Sequence, residues 1–498
     1  MPRRTSKAPL LAVAIDRKAP EPAYRQVYDQ IRATILDGRI APGTQLPATR
    51  SLAREVGVSR NTILTAYDML FAEGYTEGRV GSGTQVSRVL PEALLAARGA
   101  DQAARRPPSQ PAVTRRLSAL ALQLSSSQRT GRGFRAFRPG LPEVEQFPWD
   151  VWGRLVGGFW RRPPRALLNG GELAGYGPLR DAIAAYLGAV RGLRCTGDQV
   201  VITSGAQEAL DMVSRLFLDP GDGVWMEDPG YAGLRAAFSA AGARVVPVPV
   251  DAEGLDVEAG RRLAPDAVLA AVTPSHQYPL GVTMSLSRRL ELLDWAAHAG
   301  AWILEDDYDS EFRYAGKPLS ALQGLDDQGR VIYVGTFSKV LFPALRLGYV
   351  VLPDTLVDPF LRIRSVLDDA PSIAVQPPLT RFIEEGHFAA HVRRMRALYG
   401  ERQAYFINIA ERAAANIFQV EADEAGMHLI ANLAPSCRGS DTEIADCAAE
   451  AGLAAPALSS YFAGQSSRQG LVLGYAGLNF DEIEKGLLGL AATVQKYI

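Results

Sequence analysis

The feature that most constrains the fold is an alternation, from about Phe147 onward, of short β-branched runs with longer helical segments. The runs span residues 199–203, 223–228, 243–250, 267–274, 301–306, 331–336 and 347–352. Such alternation is typical of a largely parallel sheet whose helices cover both faces. After about Leu356 helical patterns dominate, which predicts a second, smaller α+β domain. The sequence therefore predicts an α/β fold.

Side chains suited to ligand chemistry follow several of these runs. The stretch "VIYVGTFSK" carries Lys339 just past an apolar strand, and open α/β sheets bind ligands at the carboxyl ends of strands. Asp306 ends the neighbouring run, and the 33 positions from it to Lys339 leave room for one crossover and one returning strand. Both residues are therefore expected at one edge. Other residues predicted at that edge are Gly205, Ala206, Gln207, Tyr231, Tyr308 and Arg346.

These residue types match the chemistry of pyridoxal 5′-phosphate (PLP). Its aldehyde needs a lysine for a Schiff base, and its ring nitrogen needs an acidic partner. The helix start "SGAQ" suits a phosphate, because backbone N–H groups are free there. Each residue alone has an ordinary interpretation, since a lysine after a strand is more often a surface residue. Together and in this order, they favour PLP.

The N-terminal region has a different pattern. Helices are predicted from Pro22 to about Gly38, over "ATRSLAREVG", and from a cap at Ser59 onward; a glycine-turned β-hairpin follows. The third helix turns Ile63, Ala66, Tyr67 and Leu70 inward, and Arg60, Asn61 and Thr62 outward. In a helix-turn-helix, that outward first turn reads base edges. The pattern alone fits equally a three-helix bundle with a solvated polar end.

Composition and charge divide the chain. Residues 1–88 contain 13 Lys and Arg against 8 Asp and Glu, although the whole chain has a net charge of −1. A basic head is a mild indication of nucleic-acid binding. A segment rich in Pro, Arg, Ser and Gly then indicates a linker. The predicted domains are a head at 15–88, a linker at 89–135 and a body at 136–498, with a large part at about 175–355 and a small part at about 356–498.

Cysteine usage and hydropathy bear on the compartment. Cys195, Cys437 and Cys447 have no metal-ligand spacing, and their odd number argues against a disulfide framework. No apolar run reaches the ~20 residues of a membrane span, and the N-terminal stretch lacks a signal-peptide pattern. We therefore expect a cytoplasmic protein that has no metal site and no membrane partner.

Two regions resemble known families. Residues 22–86, from "YRQVYDQIRATILDGRIAPGTQLPATRSLAREVGVSRNT" through "GSGTQV", resemble the winged helix-turn-helix of GntR-type bacterial regulators. Residues from about 136 resemble a fold-type I aminotransferase, with a mostly parallel sheet of the seven-strand type. Head, linker and body together resemble the MocR subfamily. This resemblance implies contacts to double-stranded operator DNA by Arg50, Ser59, Arg60, Asn61, Thr62 and Gly81.

The resemblance also implies roles in the body. Lys339 would form the internal aldimine with PLP, Asp306 would pair with the ring nitrogen, and Tyr308 would bond the ring hydroxyl. Tyr231 would stack on the ring, and His276, in "TPSHQYPLG", would contact the cofactor. Tyr176 would reach the phosphate of a neighbouring subunit, which implies a homodimer. The phosphate would be held by Gly205, Ala206, Gln207, Thr336 and Arg346.

Three functions are compatible with this pattern. The first is a transcriptional regulator that senses PLP, or an amine or amino compound through an external aldimine at Lys339. The second is an active aminotransferase with an attached DNA-binding domain. The third is a DNA-binding protein with a dimerisation scaffold, against which the intact Lys339, Asp306 and Tyr308 argue.

One departure from the family pattern concerns the ligand. Aminotransferases bind the substrate carboxylate through an arginine of the C-terminal domain, and "PALSSYFAGQSSRQGLVLGYAGL" offers only Arg468. If Arg468 does not fill that place, an ordinary α-amino acid is disfavoured.

Overall fold

The chain has two compact units, Met1–Arg116 and Leu117–Ile498. The computed structural model describes residues 13–17, 19–79, 83–90, 136–316, 320–464, 466 and 468–497. Among its described residues, the first unit contains three helices and a two-stranded antiparallel sheet. These are α1 (Ala23–Leu36), α2 (Thr49–Val56), α3 (Arg60–Ala72), β1 (Thr76–Arg79) and β2 (Gly83–Val86).

The first unit packs as its apolar periodicity predicts. Val27 and Ile31 of α1 share one core with Ile63 and Leu70 of α3. Gly57 ends α2 in the left-handed conformation at φ 72°, where a residue without a Cβ avoids a steric penalty. Residues 80–82, which include Gly81, lie outside the described residues.

The second unit is built on an eight-stranded sheet in the order β3-β10-β9-β8-β7-β4-β5-β6. Six strands are parallel; β10 runs antiparallel between β3 and β9, and the two-residue β6 extends β5 as an antiparallel edge. The fold class predicted from the sequence is confirmed. The strands are β3 (Val200–Thr203), β4 (Gly223–Asp228), β5 (Arg244–Asp251), β6 (Gly254–Leu255), β7 (Leu269–Val272), β8 (Trp302–Asp307), β9 (Val331–Thr336) and β10 (Gly348–Val351).

Helices cover both faces of this sheet, so its central strands are buried on both sides. Along β9, Ile332 and Val334 pack into one cluster, whereas Val331 and Tyr333 face the opposite side. The helices up to α10 are α4 (Trp149–Arg161), α5 (Arg165–Leu168), α6 (Gly177–Arg191), α7 (Ala206–Phe217), α8 (Ala232–Ala240), α9 (Val257–Leu263) and α10 (Leu286–Ala299).

A second, three-stranded antiparallel sheet follows, in the order β11-β12-β13. The strands are β11 (Phe418–Val420), β12 (His428–Leu433) and β13 (Gly470–Gly474). The accompanying helices are α11 (Asp354–Leu367), α12 (Gln376–Glu384), α13 (His387–Ala414), α14 (Asp441–Glu450) and α15 (Phe480–Val494). Within the described ranges, no helix is long and apolar enough to cross a membrane.

Candidate functional site

The sheet topology brings most of the predicted site residues to one edge. The parallel strands end there, and β10 begins there because it runs the other way. Residues that follow strand ends are Gly205 after β3, Tyr231 after β4, His276 after β7, Tyr308 after β8 and Lys339 after β9; Arg346 precedes β10. The ends of five strands and the start of β10 therefore supply the residues of the candidate site.

Lys339 has a largely enclosed amine. Its Nζ donates a hydrogen bond to the carbonyl oxygen of Gly140 at 2.9 Å. A Cβ on residue 140 would collide with Nζ, so the close approach requires glycine there. Burial lowers the pKa of the Lys339 amine, and the nearby Arg138 charge lowers it further. A lowered pKa makes the neutral, nucleophilic form of the amine more accessible.

Asp306 is buried, with 7 % of its surface exposed. No described residue supplies a hydrogen-bond partner for its Oδ1. Burial, together with the Asp307 and Glu227 carboxyls, raises the pKa of Asp306 to about 7. Leaving a buried carboxyl oxygen unpaired is costly, which indicates that its partner is a ligand that carries a donor or a positive charge.

A concentration of donors lies where β3 meets α7. Gly205 is the N-cap of α7 at φ 117°, and a Cβ there would lie 3.9 Å from the Arg346 guanidinium carbon. The first backbone N–H groups of a helix lack intrahelical acceptors, so this end attracts anions. Thr336 Oγ1 accepts a hydrogen bond from the Ser338 backbone N–H at 3.1 Å. Ser338 Oγ is buried and finds no partner in the part of the chain that the structure describes.

Aromatic side chains form one wall of the site. Tyr231 is 40 % exposed and donates to Gln207 Oε1 at 3.4 Å. Its ring lies edge-on to Tyr278 at 6.0 Å, and Tyr278 lies edge-on to Tyr308 at 5.6 Å. The Tyr278 and Tyr461 hydroxyls are 3.2 Å apart. A flat ring could lie against such a wall.

His276 connects this wall to buried carboxylates. Its Nδ1 lies 2.9 Å from the Tyr308 hydroxyl and 3.1 Å from Asp309 Oδ2, and its Nε2 lies 3.0 Å from Asp423 Oδ2. Burial opposes a charged imidazole, but Asp309 and Asp423 more than offset this and raise the pKa of His276 to about 10.

The head presents an exposed polar helix end. Arg60 and Asn61 are exposed in the first turn of α3, and Arg50 is exposed on α2. Ser59 Oγ caps α3 by accepting the Thr62 backbone N–H at 3.1 Å, as the sequence predicts.

Comparisons with known proteins account for both units. The sequence profile for bacterial regulatory proteins of the gntR family matches residues 23–86, and the profile for aminotransferases of class I and II matches residues 164–471. The probable rhizopine catabolism regulatory protein MocR of Rhizobium meliloti is 42% identical over 479 residues, covering 96% of this chain and 95% of that protein. The pyridoxine biosynthesis transcriptional regulator PdxR of Corynebacterium glutamicum is 30% identical over 476 residues, covering 95% and 96%. This similarity includes head, linker and body.

The chain belongs to the MocR subfamily of GntR-type regulators. A solved structure that resembles its body is α-aminoadipate aminotransferase LysN of Thermus thermophilus, complexed with N-(5'-phosphopyridoxyl)-L-leucine. It is 27% identical at a TM-score of 0.67 and covers 76% of this chain and 95% of that chain. The cofactor of this MocR-type body is PLP. The unpaired Oδ1 of Asp306 fits the ring nitrogen of PLP. The unpaired Oγ of Ser338 and the donors where Gly205 approaches Arg346 fit its phosphate.

Arg468, the candidate for the carboxylate-binding arginine, lies away from this site in the MocR-type chain. Arg468 donates to Asn432 Oδ1 at 3.1 Å, and Asn432 pairs with Gly470 at one end of the small sheet. His428, which contacts the His276 ring, pairs with Gly474 at the other end. Arg468 therefore does not take the place of the carboxylate-binding arginine. Tyr176 is the N-cap of α6, and its role toward a second subunit remains a prediction.

Sequence reasoning missed several residues of the site. Ser338, between Thr336 and Lys339, could have been found from its neighbours alone. Tyr278, Asp309 and Asp423 could not, because their roles depend on contacts between loops distant in sequence. Tyr461 reaches Tyr278 from 183 positions away.

Proposed function

We propose that this MocR-type protein controls transcription in response to PLP, or to an amine that reacts with PLP bound at Lys339. The observation that carries the proposal is the unpaired, buried Asp306 Oδ1 in a site where the charge of Lys339 acts on the Asp306 pKa. In a scaffold without a cofactor, a buried carboxyl oxygen that lacks a partner would only lower the stability of the fold. The GntR-type head supplies the output, since it binds DNA.

Each side chain has a role in this proposal. PLP supplies an aldehyde that condenses with amines and a ring that withdraws electrons. Lys339 supplies the amine that holds it, Asp306 pairs with the ring nitrogen and Tyr231 packs on the ring. Gly205, Ala206, Gln207, Thr336 and Arg346 bind the phosphate, to which we add Ser338 on the strength of its unpaired hydroxyl. Arg50, Ser59, Arg60, Asn61, Thr62 and Gly81 contact operator DNA.

The ligand can change DNA affinity only as far as it favours one conformation of the protein over another. The relative PdxR, named as a regulator of pyridoxine biosynthesis, supports the cofactor itself as a signal. The position of Arg468 disfavours an ordinary α-amino acid as the effector.

The test is operator affinity, measured by fluorescence anisotropy for the apo protein, the PLP-loaded protein and the loaded protein with candidate amines. We expect PLP or an amine to change the affinity at least about fivefold, the low end of measured couplings between sites. The Lys339→Ala variant should show no change, whereas Lys485→Ala, which alters an exposed lysine of α15, should behave as the wild type. A wild-type affinity that is the same in all states would contradict the proposal.

An active aminotransferase is the second candidate, because the lysine, aspartate and tyrosine set is intact and structures resembling the body include aminotransferases. Both functions use the same residues to hold PLP. They differ in whether the protein turns over repeatedly with an amino donor and a keto acid. Sustained turnover would favour the enzyme.

A further inference from the structure

His276 is held between two carboxylates that come from distant parts of the chain. Asp309 follows β8 and lies 3.1 Å from Nδ1, whereas Asp423 precedes β12 and lies 3.0 Å from Nε2. The exposed fraction is 1% for the side chains of His276 and Asp309, and 22% for that of Asp423. A histidine with a carboxylate on each ring nitrogen is stabilised as a cation.

Glycines leave room for this contact on both sides. A Cβ on Gly426 would collide with the His276 imidazole, and a Cβ on Gly281 would collide with Asp423 Oδ2. Both glycines have positive φ, at 94° and 77°. The two loops, 276–281 and 423–428, therefore interlock at a distance that side chains at these positions would prevent.

The loop that carries Asp423 is fixed by further bonds. Gly426 N–H donates to the Phe312 carbonyl at 2.9 Å, and Tyr314 N–H donates to the Glu424 carbonyl at 2.7 Å. His428 Nε2 lies 2.9 Å from the Pro279 carbonyl, to which it can donate. Asp423 is consequently held in place against the loop that contains His276, rather than lying on a loose surface segment.

The hydrogen on His276 Nδ1, which the cation always carries, decides the direction of the Tyr308 hydrogen bond. A doubly protonated imidazole has a hydrogen on each nitrogen, so its Nδ1–H is shared between the Tyr308 oxygen, 2.9 Å away, and Asp309 Oδ2, 3.1 Å away, and Nδ1 cannot accept the phenolic hydrogen. The phenolic hydrogen of Tyr308 then remains available to an acceptor in the site. A neutral imidazole with its hydrogen on Nε2 would instead accept that phenolic hydrogen. The titratable groups that face His276 are Tyr308, Asp309, Asp423 and His428.

We propose that Asp423 is a positioning residue of the cofactor site: with Asp309 it keeps His276 cationic, and thereby directs the Tyr308 hydroxyl hydrogen toward the bound cofactor. This inference rests on the proposed PLP site but not on any effect of PLP on DNA. It also provides a connection from the C-terminal sheet to the cofactor, because Asp423 lies in the loop between β11 and β12.

The first experiment measures the charge of His276 in the apo protein by ¹³C NMR of histidine Cε1. The chain has 5 histidines, and His276→Gln assigns the relevant signal. We expect the His276 signal to keep its charged position from pH 6 to pH 9. In Asp423→Asn it should titrate within that range, because one of two carboxylates is neutralised. A wild-type signal that titrates between pH 6 and pH 9 would overturn the proposal.

The second experiment measures PLP affinity by absorbance and tryptophan fluorescence at pH 8. Asp423→Asn should weaken binding about 3- to 10-fold, the range that one hydrogen bond contributes. Glu424→Gln is the matched control, because it removes the adjacent charge, which pairs with Arg313 rather than with His276. In a His276→Gln background, Asp423→Asn should add no further loss. Equal losses in both backgrounds, or none in either, would contradict the positioning role.

The outcomes separate this inference from the proposed function. If PLP binds Lys339 but leaves operator affinity unchanged, the proposed function fails while both measurements on Asp423 still apply. Thermal unfolding of Asp423→Asn and Glu424→Gln confirms that both variants are folded before affinities are compared.

Discussion

Buried carboxyl groups crowd the pocket around Lys339. Glu227 accepts hydrogen bonds from Thr273 and Gln277, and burial raises its pKa to about 7. Asp306 differs because its Oδ1 lacks a partner among the described residues. Burial of this carboxyl without a partner lowers the free energy of unfolding of the apo protein, and a ligand that pairs with it restores that stability. Binding sites commonly trade stability for function in this way.

The Asp306→Asn variant tests this trade. Because the folded pKa of about 7 exceeds the unfolded value near 3.9, the carboxyl destabilises the fold increasingly as pH rises between those values, and fully above pH 7. We expect the variant to raise the free energy of unfolding of the apo protein by about 1–3 kcal/mol at pH 8, and by less near pH 5. It should also weaken PLP binding more than about tenfold.

Urea unfolding at the two pH values and a PLP titration provide the measurements. Asp266→Asn is the control, since Asp266 lies on the surface, paired with Arg244, and its effect should stay within about 0.5 kcal/mol. A variant that is less stable than the wild type at pH 8, yet binds PLP equally well, would show that Asp306 is structural.

The first turn of α3 combines structural and recognition roles. The Ser59 hydroxyl accepts the Thr62 N–H, so it is already used to cap the helix. Arg60 and Asn61 are exposed, and their side chains suit guanine and adenine edges. Substitution of Arg60 therefore tests DNA recognition without removing the cap, whereas substitution of Ser59 removes both the cap and the operator contact proposed for it.

We predict different effects on stability for two variants of this helix. Arg60→Ala should leave the stability of the head unchanged and cost about 1–3 kcal/mol at one operator base pair. Ser59→Ala should cost about 1 kcal/mol of stability through loss of the cap. Arg25→Ala, which removes a positive charge from α1, serves as the control for charge alone. Binding across a set of operator variants measures the effect, and an unchanged base preference in Arg60→Ala would exclude Arg60 from base reading.

Local sequence patterns predicted the elements well and the contacts between distant loops poorly. Strand β9 was predicted at residues 331–336 and found there, because a run buried on both faces is apolar throughout. The β7 run was predicted at 267–274, but the strand covers only Leu269–Val272, since its last residues turn into the loop before His276. The Asp423–His276 contact spans 147 positions and follows no periodicity, so only the fold reveals it.

The body carries exposed apolar side chains that point to a second copy. Trp149 and Trp160, both on α4, are 46% and 43% exposed in the single chain, and Leu168 of α5 is 50% exposed. Large apolar side chains in such numbers on neighbouring helices are typical of an interface. Tyr176, at the start of the next helix, would then lie close to the partner's site.

We therefore predict a homodimer in solution. Light scattering after size-exclusion chromatography should give twice the mass of one chain, and Trp160→Glu should shift the protein toward the monomer. Leu263→Glu is the control, because Leu263 is 55% exposed on α9. A wild-type monomer that binds PLP tightly would contradict the prediction. A dimer would further predict an operator with two half-sites.

The central claim is that PLP bound at Lys339, or an amine that reacts with it, changes the binding of the head to DNA. The most direct measurement is a footprint on the DNA upstream of the protein's own gene, with and without PLP. We predict a footprint that appears, disappears or changes in length when PLP or a reactive amine is added, and that Lys339→Ala abolishes this response. A footprint that is identical with apo protein, with PLP and with every amine tested would contradict the account.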